Sequence, residues 1–143
     1  EMRVMAIDYG DARTGVALSD PSGLLTGFTT VIHSRNRETV LAQLAALCKE
    51  RGADRLVMGF PRNMDGTEGP RAALYREFAA SLEEATGMPV RLWDERRTTV
   101  EAHQILSSQN YHGKKRKNTV DAVAASLILE GYLGYLRNHP EEV

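Results

Sequence analysis

The chain has 143 residues, 42% hydrophobic and 26% charged, with a formal net charge of −1. That is enough for one domain, residues 1–143, with a real core, and the charge balance excludes wholesale attraction to nucleic acid, so such a partner would need a local basic patch. The single cysteine, Cys48, excludes an internal disulfide framework and a cysteine-based zinc site.

No apolar run is long enough to span a membrane, and the start carries no signal-peptide pattern. A reducing, cytoplasmic location is the expectation. Cys48 falls on the apolar side of a predicted helix and reads as a core thiol.

Val4, Met5, Ala6 and Ile7 form a nearly continuous apolar run, as a strand covered on both faces requires. The run stops at Asp8; Gly10 and Asp11 turn the chain, and Thr14–Leu18 returns as a second strand. Asp8 is therefore a carboxylate at the end of a buried strand. It is costly there unless paired, hydrogen-bonded or holding a cation, or else it caps the turn through nearby backbone N–H groups. Pro21-Ser22-Gly23 makes a further turn, and Leu24–Ile32 gives a third strand bent at Gly27, completing an antiparallel meander.

The period then changes. Val40, Leu41, Leu44, Leu47 and Cys48 recur at helical spacing, with Ser34 or Asn36 at the start and Gly52 as C-cap. Leu56–Phe60 is a short strand ended by Pro61, of a kind suited to a central parallel position. The polar stretch Arg62–Gly69 leads to a second helix with Pro70 in its first turn and Leu74, Phe78, Leu82 and Ala85 on one face. Val90–Trp93 is the fifth strand, with Asp94-Glu95-Arg96 at its end. Thr98 and Glu101 form a capping box that opens a third helix to about Gln109. A basic loop, Gly113–Lys117, precedes a last helix from Asn118 or Thr119 to about Arg137. The order predicts an α/β fold: a five-stranded mixed sheet, three antiparallel strands then two parallel, flanked by helices.

Three acids share a context. Asp8 follows the first strand and Glu95 the fifth, and strands of like direction deliver both to one sheet edge, where open α/β sheets bind ligands. Asp121 heads the apolar stripe of the last helix, with Ala124, Ala125, Ile128 and Tyr132, although it also suits a capping box with Asn118. Asp94 competes with Glu95, since strand alternation sends the two to opposite sides. Carboxylates on rigid elements suit hard cations, Mg²⁺ or Mn²⁺. Two such ions about 4 Å apart are a known arrangement for in-line phosphodiester cleavage. The four histidines show no metal-binding spacing and read as surface residues, His112 bordering the basic loop.

Four stretches, 8–20, 59–69, 94–99 and 121–129, carry Asp-Tyr-Gly-Asp-Ala-Arg-Thr-Gly-Val-Ala-Leu-Ser-Asp, Gly-Phe-Pro-Arg-Asn-Met-Asp-Gly-Thr-Glu-Gly, Asp-Glu-Arg-Arg-Thr-Thr and Asp-Ala-Val-Ala-Ala-Ser-Leu-Ile-Leu. Together, in this order, they resemble the YqgF family, also called RuvX, of candidate Holliday-junction resolvases and precursor small-subunit rRNA nucleases. The resemblance implies an RNase H-like fold and a bacterial, divalent-metal-dependent nuclease acting on branched DNA or precursor rRNA. It implies that Asp8, Glu95 and Asp121 are its catalytic, metal-holding triad. In the wider RNase H-like superfamily the middle acid commonly follows the fourth strand; here that strand ends Gly59-Phe60-Pro61 and Glu95 must substitute.

Lys114, Lys115, Arg116 and Lys117 precede Asp121 and are placed to meet a phosphate backbone. Tyr111 could stack on a base but suits packing of the third helix better. Arg13 reads either as a phosphate contact or as the partner of Asp11 or Asp20. Two other functions compete: a non-catalytic nucleic-acid-binding module, which retention of all three acids opposes, and a fragment of an actin-like ATPase, which would need a second domain of the same kind. A homodimer would suit paired cuts in a junction.

Overall fold

The computed structural model describes residues 2–23, 25–62, 65–94 and 113–142, the last stretch with side chains from residue 120 onward. The elements are β1 (Val4–Asp8), β2 (Arg13–Ser19), β3 (Thr26–His33), α1 (Arg37–Arg51), β4 (Arg55–Phe60), α2 (Pro70–Thr86), β5 (Val90–Asp94) and α3 (Gly113–Asn138), then a 3₁₀ turn at Pro140–Glu142. The predicted helix from Thr98 to about Gln109, with Tyr111, His103 and His112, lies outside the described residues.

The sheet order is β3-β2-β1-β4-β5. β1 pairs with β2 antiparallel and with β4 parallel, β2 pairs with β3 antiparallel, and β4 pairs with β5 parallel. β1 thus sits at the centre with a layer on each face, which is why Val4 through Ile7 run apolar without alternation. Met5 and Ile7 join Val16, Leu18, Leu56 and Met58 beneath α1 and α2. Val4 and Ala6 join Ala17 and Val57 beneath Ala125, Ile128, Leu129, Tyr132, Leu133 and Leu136 of α3. Each large side chain buried this way contributes roughly 1.5–3 kcal/mol.

Local signals explain the boundaries. The Asn36 side chain accepts from the Thr39 N–H at 3.0 Å and starts α1, a cap worth about 1 kcal/mol. Gly52 ends α1 in the left-handed region, φ 68°, with its N–H on the Cys48 carbonyl. The β2–β3 ladder shifts register at Leu18/Ser19, opposite the predicted bend, and β3 starts at Thr26.

Two expectations are corrected. On α2 the buried stripe is Ala72, Tyr75, Phe78, Ala79 and Leu82, whereas Leu74 is 39% exposed and Ala85 lies on the surface. Tyr75 turns the helix because both ends of its side chain are satisfied: its ring meets Tyr9 edge-on and its hydroxyl donates to the Tyr9 carbonyl. The stretch Gly113–Lys117 is the start of α3 and not a loop. Lys and Arg are good helix formers, and after Gly113 nothing in the stretch breaks a helix. Asn118 therefore lies inside α3 and starts no capping box with Asp121.

Candidate active site

Asp8 is the last residue of β1, half-buried. Alternation from Val4 and Ala6 puts it on the α3 face. Its cross-strand partner is Gly15, on the same face of β2. Gly15 has no side chain for a physical reason: a β-carbon there would stand 2.7 Å from the carbonyl carbon and 3.4 Å from the Cα of Asp121. The backbone of α3 rests on β2 at this point. Adjacent strands lie about 4.8 Å apart, so the contact brings the early turns of α3 to the position beside Asp8.

Asp121 is not an outward-facing cap. Its carboxylate accepts from Arg13 Nε at 2.8 Å, with the aspartate side chain 18% exposed and the arginine 37%. Arg13 opens β2, two residues before Gly15 on the same face. It pairs with neither of the partners expected from sequence, Asp11 or Asp20, but across 108 positions with Asp121. This pair was missed because sequence spacing alone favours local acids. The available signal was the shared parity of Arg13 and Gly15, together with Asp121 at the head of a stripe that had to face the sheet.

On the other side of Asp8 lies β4. One step beyond the Ile7–Met58 pair stands Gly59, buried and of the same parity as Val57. Asp8 therefore sits between two glycine positions, with no side chain beside it on either strand at that level. The residue after it is fixed firmly: the Tyr9 ring stacks on Phe78 with centroids 3.8 Å apart. Burial raises the Tyr9 pKa, which Arg37 partly opposes.

At the end of β5, Trp93 packs among the α3-side residues and meets Tyr132 and Tyr135 edge-on. Asp94, paired with Phe60, is exposed and of opposite parity, on the α1–α2 face. Glu95 lies outside the described residues, and among those described no three His, Cys, Asp or Glu side chains gather as a metal group. Lys114, Lys115, Arg116 and Lys117 occupy the first turns of α3, and Lys117 stands four residues before Asp121, about one turn. No helix among the described residues is long and apolar enough to cross a membrane.

The sequence matches the family described as RuvX, Holliday junction resolvase, over residues 2–135. A protein of Halothermothrix orenii, named as a candidate pre-16S rRNA nuclease, is 43% identical over 134 residues, covering 94% of this chain and 96% of its own. The fold resembles that of Thermus thermophilus RuvC, solved with a Holliday junction substrate, at TM-score 0.58 and 13% identity over 94% of this chain and 97% of that one. A fowlpox virus resolvase, solved with Holliday junction DNA, gives TM-score 0.57 and 10% identity over 94% and 99%. The five-stranded mixed sheet expected from the element order, and the RNase H-like fold that the family resemblance implies, are the architecture observed.

Proposed function

The chain belongs to the RuvX family, and from that premise we propose that it is a divalent-metal-dependent endonuclease that hydrolyses phosphodiester bonds in nucleic acid, with Asp8, Glu95 and Asp121 as its acidic set. The observation that most supports this is the seating of the Asp121 backbone on Gly15, the cross-strand partner of Asp8. Two acids far apart in sequence thereby flank one point at the sheet edge. Glu95 enters through the motif Asp-Glu-Arg-Arg-Thr-Thr at 94–99, while Asp94 faces the α1–α2 side.

The donor set fits a hard cation. It offers carboxylate oxygens without thiol or imidazole, and Asp121 already holds positive charge through Arg13. Mg²⁺ or Mn²⁺, as a pair of ions, would neutralise charge on the phosphate and activate the attacking water. The protein's own part is positional. Asp8 ends a strand packed into both core layers and Asp121 lies on a helix packed into the α3-side layer, so both acids are carried by rigid elements. The absence of a side chain at Gly15 is what lets the backbone of α3 close on β2 beside Asp8. Lys114 through Lys117, at the positive end of the α3 dipole, supply attraction for the phosphate backbone.

Branched DNA and precursor rRNA both present the required bond. The decisive assay incubates purified protein with Mn²⁺ or Mg²⁺ and, side by side, a four-way junction, single-stranded DNA and precursor 16S rRNA. Asp8→Asn should abolish cleavage of whichever substrate is cut while the protein stays folded. Added Mn²⁺ should raise the melting temperature of wild type more than that of the variant. Binding without cleavage of all three substrates would favour the non-catalytic module. A junction cut twice requires two copies of the site, so a homodimer is the form proposed for that substrate.

A further inference from the structure

We propose that Arg13 couples cation binding to nucleic-acid binding: it occupies the cation's place on Asp121 when no metal is bound, and turns to a substrate phosphate when the metal displaces it. This rests on the reading of Asp121 as a metal ligand. The geometry is that of a stand-in. Arg13 Nε lies 2.8 Å from Asp121 Oδ2, on the α3 face that also carries Gly15. A guanidinium and a divalent cation cannot share that carboxylate at low cost, because at such separations like charges repel strongly where water is partly excluded. One must leave, and the exposures say which. The Asp121 side chain is 18% exposed and its backbone is pinned against Gly15, whereas the Arg13 side chain is 37% exposed and reaches solvent.

A displaced Arg13 remains anchored at the first residue of β2, at the same sheet edge as Asp8. Its planar fork matches phosphate oxygens, and a strand laid across the acids would bring a phosphate within its reach. Displacement costs less when a phosphate receives the arginine, so nucleic acid tightens the metal. By linkage, the metal then tightens nucleic acid by the same factor. Without substrate, the arginine offsets the charge of Asp121 and lowers its affinity for free metal.

The test is a Mn²⁺ titration of the full chain followed by electron paramagnetic resonance, with and without a nuclease-resistant phosphorothioate single-stranded oligonucleotide. Wild type, Arg13→Gln, Arg13→Ala and Asp121→Asn are compared. Arg13→Gln keeps length and a donor for Asp121 while removing the charge, so it reports even where Arg13→Ala lowers stability. Both variants should bind Mn²⁺ alone about fivefold more tightly than wild type, the removal of a typical coupling. The oligonucleotide should tighten Mn²⁺ about fivefold in wild type and distinctly less in the variants. Unchanged or weaker Mn²⁺ binding in both arginine variants, or a coupling factor equal to wild type, overturns the proposal. Equal Mn²⁺ binding by wild type and Asp121→Asn is the separate result that removes Asp121 from the metal site, and the proposal with it.

Discussion

Gly15 and Asp121 touch backbone to backbone: a β-carbon on Gly15 would stand 2.7 Å from the Asp121 carbonyl carbon. A helix backbone cannot yield as a flexible side chain does. Gly15→Val should cost about 3 kcal/mol or more, the upper end of overpacking, and should lift the start of α3 away from Asp8. Urea denaturation gives the first effect. A loss of cleavage larger than the loss of folded protein gives the second.

Asp94 faces away from α3, and single substitutions decide between it and Glu95. Glu95→Gln should abolish cleavage, with little change in melting temperature. Asp94→Asn, at an exposed position on the α1–α2 face, should keep activity within a few-fold of wild type. The reverse result would make Asp94 the second metal-holding acid.

Replacing Lys114, Lys115, Arg116 and Lys117 by Ala should weaken nucleic-acid binding on every substrate with little change in preference, because phosphate contacts carry affinity without base readout. Alanine keeps this stretch helical, so the comparison reads charge and not helix loss. The slope of log affinity against log salt should flatten by about 0.7–0.9 for each lost contact. Turnover at saturating substrate should fall much less than in Asp121→Asn. An unchanged salt slope would leave these residues as a solvated first turn.

Cys48 gives a pH test of the core. It is 5% exposed with its thiol 3.6 Å from Met5 Sδ, and burial pushes it from its ordinary 9.0 up to about 11. The unfolded chain then loses this proton before the folded one does. The associated stability is fully present below pH 9 and is lost as pH rises from 9 towards 11. Urea midpoints at pH 8, 9 and 10 should fall more steeply for wild type than for Cys48→Ala. Alkylation of the native protein at pH 8 should be slow and should accelerate on unfolding.

The sheet was legible because its strands announce themselves by type of burial. The unbroken run of β1 required cover on both faces, and the helical spacing of α1 and α2 supplied it on one face and that of α3 on the other. The errors fall where a residue's second chemical character decides. Tyr75 enters the core through a hydroxyl that finds the Tyr9 carbonyl, and a count of aliphatic residues overlooks it in favour of Leu74. Lys114 through Lys117 were read by charge as a loop, although their helix propensity is high. At the site, the strand-end position of Asp8 was readable from the chain locally. The Arg13–Asp121 pair was not, because it is made by the docking of α3 on β2, which no local window contains.

That docking also sets a schedule. The meander of β1, β2 and β3 is made from the first quarter of the chain, but the carboxylate of Asp121 meets its arginine across 108 positions. Contacts of such separation form late, after the entropy of closing a long loop has been overcome. Because synthesis proceeds from the N-terminus, a nascent chain holds Asp8 and Arg13 long before α3 exists to dock on them. The Arg13–Asp121 pair therefore forms only once the last helix has been made and has docked.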